Sequence, residues 1–158
     1  TYMRSISSNV DLWDYQLGNS DATYLLGVED NRYSFVVASH ILEHLDDRET
    51  ALKNWTRVLK PGGYLILAVP ERDLFEEKTD LPSDYNHDHK CYFKLEESAP
   101  PATISFLDLL RTISTETELM YAKVCSDRWY GQKNQKPYNK RKYLPVGEFQ
   151  IEAVLRKK

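Results

Sequence analysis

Between residues 33 and 70 two short apolar runs enclose one helix-like segment and a Pro-Gly-Gly turn, and this block constrains the fold more than any other stretch of the chain. YSFVVAS (33–39) is apolar and β-branched, which predicts a buried parallel strand rather than a half-exposed one. A helix should follow, capped by Asp46 or Asp47 with Glu49 or Thr50 in its first turn; Ala51, Leu52, Trp55, Val58 and Leu59 recur at helical spacing on one face. LKPGG (59–63) ends it, because Pro61 cannot continue the hydrogen bonding and Gly62 and Gly63 permit a left-handed exit. YLILAVP (64–70) reads as a second buried strand. Strand, helix and strand in so short a span predict a right-handed βαβ unit and an α/β fold.

Downstream, TISFLDLLRTIS (103–114) predicts an amphipathic helix capped by Thr103 or Ser105. ELMYAKVCS (118–126) and EFQIEAVLRK (148–157) alternate strongly, which suits edge strands with one wetter face. The connection 127–147 is long for a loop and contains Gly131, Pro137 and Pro145. With 158 residues, 41% hydrophobic and 28% charged, the chain is expected to be one domain, 1–158. No apolar run approaches the roughly 20 residues of a membrane span and no signal-peptide core is visible, so no membrane association and a cytoplasmic location are expected. Cys91 and Cys125 are far apart and read as free thiols.

HILEH (40–44) fits H-x-x-E-H, a pattern that can place two imidazoles and a carboxylate on one zinc-binding helix. Here His40 directly abuts a strand, so only the second half of the stretch can enter a helical turn, and the i, i+4 geometry fails. No metal site is expected from this motif; a set His87, Asp88 and His89 is a weaker option, and a zinc hydrolase is the third-ranked function. His44 is as readily a packing or capping residue. The position matters more than the pattern, because ligands of open α/β sheets bind beyond the carboxyl ends of the strands.

SHILEHL (39–45) together with RVLKPGG (57–63) resembles the second half of class I S-adenosylmethionine-dependent methyltransferases of the type 11 branch, and the resemblance extends over roughly residues 9–157. It implies a Rossmann-like three-layer sandwich with a mostly parallel sheet and an antiparallel last strand. It also implies S-adenosylmethionine as cofactor. Carried over by position, Asp11, with Asp14 as fallback, is the carboxylate for the ribose hydroxyls. Asp21 and Ala22 match the pair that contacts adenine, while Ser39 and His40 flank the sulfonium and methionine part. Hydroxyls and amines are donors that a carboxylate accepts well. The family's glycine-rich turn should precede Asp11, and none of the ten residues there is glycine, so an N-terminally shortened domain is expected.

Methyl transfer is an in-line displacement that depends on alignment, and an oxygen or nitrogen acceptor also needs a base. His40 is one candidate; NHDHK (86–90) supplies His89 and His87. The acceptor expected is a small molecule or a glycan. Although the net charge of −3 argues against a general nucleic-acid binder, Arg128, Lys133, Lys136, Lys140, Arg141 and Lys142 interleave with Trp129, Tyr130 and Tyr138 over 128–142, so nucleic acid is a less favoured partner. A non-catalytic binding or oligomerisation module is the competing reading. A sheet edge left without its first strand would invite a homodimer.

Overall fold

A computed structural model describes residues 10–13, 21–126 and 149–158. Asp14 and the basic segment 128–142 lie outside the described residues. The elements run β1 (Tyr33–Ser39), α1 (Arg48–Arg57), β2 (Leu59–Pro70), β3 (Tyr92–Lys94), β4 (Thr103–Ser105), α2 (Phe106–Arg111), β5 (Thr117–Cys125) and β6 (Gln150–Lys157). The main sheet has the order β1-β2-β6-β5. β1 and β2 are parallel, and β6 is antiparallel to both β2 and β5, so the last strand alone reverses direction. β3 and β4 form a separate parallel pair.

Asp47 caps α1, accepting from the Thr50 amide at 3.0 Å, and the helix buries Ala51, Leu52 and Trp55. These side chains join Leu65, Leu67 and Val69 of β2, Ile151, Ala153 and Leu155 of β6, and Phe106, Leu109 and Leu110 of α2 in one core. In β2 and β6 period-two alternation explains the pattern, since these strands send every second residue to the helices. On the opposite sheet face Phe35, Val37, Tyr64, Ile66 and Tyr121 are exposed. Two corrections follow. Neither β1 nor β2 is buried on both sides, and among the described residues the architecture has two layers rather than the expected three, because both helices pack on the same face. β6, expected at an edge, lies between β2 and β5.

The segment 103–114 also differs from expectation. Its first three residues pair with β3 as β4, and the helix starts only at Phe106. Ser105 is the cap, its hydroxyl accepting from the Asp108 amide at 3.2 Å in a buried setting. Ser105→Ala should therefore cost about 1 kcal/mol in urea unfolding; an unchanged midpoint would show that the cap contributes nothing. LKPGG belongs to β2 rather than to a separate turn. The register slips between Tyr33 and Phe35, Gly62 takes φ +77°, and a Cβ on Gly63 would lie 2.8 Å from the Lys60 carbonyl oxygen and 2.9 Å from that of Ser34. Cys91 and Cys125 are both buried, and neither forms a disulfide among the described residues. No helix among the described residues is long and apolar enough to cross a membrane.

Candidate active site

β1 ends at Ser39, and the chain then reverses through His40, whose φ of +54° lies in the left-handed region. A bulky residue held there costs free energy that its surroundings must supply. The anchors are visible: the His40 amide donates to Ala68 at 2.9 Å, and its Nε2 lies 3.0 Å from Gln150 Oε1. The 3₁₀ turn Leu42–His44 follows and directs Glu43 inward. Glu43 is 1% exposed, and neither of its carboxylate oxygens has a hydrogen-bond partner. Its nearest cations-to-be are His40 Nδ1 at 3.6 Å and His44 Nε2 at 3.9 Å. Burial pushes the Glu43 carboxyl up to about 7, although its own backbone amide and the His89 ring pull the other way. Burial likewise lowers His44, with the neighbouring His89 adding to the effect.

A second segment closes over this turn. After Pro70, Glu71 caps the π-helical turn Arg72–Glu76, accepting from the Leu74 amide at 2.8 Å and pairing with Lys94 at 2.8 Å. Arg72 and Lys94 both bond Asp73 and hold its carboxyl down to about 2. Glu76 then presents both oxygens inward: Oε1 lies 2.5 Å from His89 Nδ1, and Oε2 accepts from the Ser83 hydroxyl at 2.5 Å. Ser83 in turn accepts from the amides of Tyr85 and Asn86, which fixes the path of the chain toward His89. The Lys90 amide donates to the Glu43 carbonyl at 2.7 Å, tying the two segments together. The rings of His44 and His89 meet edge to face at 4.8 Å, and Phe75 lies 6.4 Å from His40 and 6.3 Å from His89.

Along the free side of β1 runs a cleft of about 400 Å³, lined among others by Ala22, Leu25, Ala38, Ile41 and Trp55. Ala22 lines it, and Asp21 precedes it in the same turn. Asp21 Oδ1 accepts from the Thr23 amide at 2.8 Å, and the Ala22 carbonyl accepts from Trp55 Nε1 at 2.8 Å, so α1 positions this turn. Ser39 and His40 stand at the carboxyl end of the same strand. Asp11 lines the same cleft, at the other end of the strand. It accepts from Arg32 and Tyr33, both at 2.8 Å, at the amino end of β1 about 20 Å from Ser39. His87 is exposed and outside the cluster, whereas His89 is buried within it. The sequence reading missed Glu43, Glu76 and Phe75 as site residues. The signal for Glu43 was present in HILEH; nothing marked Glu76, whose partner lies 13 residues away.

Comparison with known proteins finds methyltransferases. The family model described as "Methyltransferase domain" matches residues 4–67. The ubiquinone/menaquinone biosynthesis C-methyltransferase UbiE of Shewanella oneidensis is 32% identical over 83 residues, which cover 51% of this chain and 31% of that protein. Among solved structures, a SAM-dependent methyltransferase of Thermotoga maritima superposes with a TM-score of 0.52 at 20% identity, over 88% of this chain and 62% of that one. A SAM-dependent methyltransferase of Methanosarcina mazei gives 0.51 at 15%, over 87% and 65%. The chain thus spans about a third of that curated relative and under two thirds of either solved structure, and the structures share the Rossmann-like α/β fold. Residues 4–67 of this chain thus match the methyltransferase-domain family, and its fold is the one that the solved SAM-dependent methyltransferases share.

Proposed function

We propose that the domain transfers a methyl group from S-adenosylmethionine to a small-molecule or glycan acceptor at the carboxyl end of β1. The observation that carries this is the cleft along one parallel strand, lined by Ala22 and Asp11, with the left-handed His40 at that strand's end. A cleft of about 400 Å³ is within the range of small-ligand sites. Asp21 keeps Oδ2 without a partner among the described residues, available to accept from the adenine amine. The relative named as a ubiquinone/menaquinone C-methyltransferase supports a small-molecule acceptor.

When bound, S-adenosylmethionine supplies an electrophilic methyl group: the acceptor lone pair forms the new bond to carbon, the C–S bond breaks with its electrons going to sulfur, and the acceptor releases a proton. Ser39 and His40 line the end of the strand where that exchange takes place. Gln150 Oε1 accepts from Nε2 of the neutral His40 ring, which leaves Nδ1 free to take a proton directly or through one water. Glu43, 3.6 Å from Nδ1, stabilises the imidazolium when ionised. His89 stands behind this group as a positioning residue, and His87 has no part in it. Asp11, on the wall of the same cleft, is the candidate partner of the ribose hydroxyls.

Calorimetric titration with S-adenosylmethionine and S-adenosylhomocysteine tests the reading. Saturable binding, weakened at least tenfold in Asp21→Ala and little changed in His40→Ala, is expected. In an acceptor screen His40→Ala should lower turnover by about 10²–10⁴. No binding at millimolar ligand would leave the non-catalytic module as the function.

A further inference from the structure

We infer that Glu43, His44 and His89 form a binding site for a divalent transition-metal ion. Each offers one ligand atom, and these atoms lie within 4.8 Å of one another. A tetrahedral ion with bonds of about 2.1 Å needs ligands about 3.4 Å apart, so modest side-chain rotation closes the set. Side-chain exposure of 31% leaves the His44 ring room to rotate and gives an ion its entry path.

The unpartnered Glu43 carboxylate is the independent observation. Nearly every buried polar group finds a partner, and an ionised carboxylate without one is expensive to bury. Both oxygens of Glu43 lack one at 1% exposure, beside two imidazoles. A cation in the gap would supply it. His89 is prepared for such a role. Its Nδ1 is engaged by Glu76, which leaves Nε2 for the ion, and Ser83 holds Glu76 in turn; carboxylate-backed imidazoles of this kind are the usual support of metal ligands. Two nitrogens and one oxygen favour ions such as Zn²⁺ or Co²⁺ over Mg²⁺ or Ca²⁺. The arrangement is not the helical H-x-x-E-H site. His40 faces Gln150 and lies outside the ligand set, the glutamate of the motif becomes a ligand, and His89 arrives from another segment. The sequence-based expectation of no metal site is revised accordingly.

The site shares Glu43 and His89 with the groups behind His40, so metal binding is read directly and not through activity. The full chain, stripped of metal, is titrated near neutral pH with Co²⁺, followed by its visible d–d absorption, and with Zn²⁺ by calorimetry. One ion per chain is expected. Glu43→Gln and His89→Ala should each weaken binding at least 100-fold, Glu76→Gln should weaken it about 10–100-fold, and His87→Ala should leave it unchanged. Thermal unfolding of the metal-free variants separates ligand loss from failure to fold, and the near-isosteric Glu43→Gln keeps the test valid if His89→Ala does not fold. Absence of saturable binding to the parent chain, or parent-like binding by folded Glu43→Gln, overturns the site.

Discussion

At about pH 8.5 in the presence of chelator, the Glu43→Gln variant should be more stable than the parent chain by up to about 3 kcal/mol, with the difference shrinking toward zero near pH 4.5. The sign follows from the direction of the shift. Folding raises this carboxyl from 4.5 to about 7, so the native state holds the proton more tightly than the unfolded chain does. The cost of ionising it is absent below about 4.5, grows as pH rises toward 7, and is constant above that. Two and a half units at 1.36 kcal/mol each give the upper bound. Burial is the largest cause and Glu76 adds to it, whereas the Glu43 backbone amide, His89 and Arg48 pull the other way without reversing the shift; His40 and His44 also face this carboxylate. Urea unfolding of both proteins across this pH range is the measurement. A parent chain that stays level with the variant at alkaline pH would show that Glu43 is solvated in solution.

Gly63→Ala should destabilise the chain by about 3 kcal/mol, and Gly62→Ala by about 1–2 kcal/mol. The two adjacent glycines are required for different reasons. At Gly63 the added carbon would meet two backbone carbonyls below 3.0 Å, one on β1 and one on its own strand, and neither can yield without separating the pair. At Gly62 the nearest neighbour is the flexible Arg156 guanidinium at 3.7 Å, so only the positive φ resists substitution. Denaturant midpoints for the two variants therefore separate close packing from backbone conformation. Equal losses would mean that the tight approach of β1 to the Lys60–Gly63 bulge is absent.

Periodicity made the central βαβ unit legible, and residue chemistry marked its cap: Asp47, Ala51, Leu52 and Trp55 do what their spacing suggests. The same apolar runs misled on burial, because Phe35, Val37, Tyr64 and Ile66 look like core residues in composition and yet stand on the sheet face away from both helices. Which faces are covered is decided by tertiary packing, to which a strand's own sequence is blind. The division of 103–114 into β4 and α2 depends on β3 pairing with Thr103–Ser105, again a nonlocal cause. In the site, His40 and His89 were identifiable from motifs at strand ends. Glu76 was not, since its role is defined by a contact with His89 across the π-helical turn and the segment after it. Asp11, also named by the motif, lines the cleft near the amino end of β1, where Arg32 and Tyr33 hold it.

The pairing of β1 with β2 stops at Ser39 opposite Ala68, while β2 and β6 remain paired as far as Pro70 and Gln150. The sheet consequently ends in a ledge two residues deep, about 7 Å high, with Gln150 on its rim reaching down to His40. A molecule resting on the lower step has a wall of backbone on one flank and open cleft on the other. That gives the site handedness before any side chain is counted. Two faces of a flat acceptor would meet different surroundings there, and the staggered strand ends, rather than a specificity loop, would be the first determinant of which face is presented.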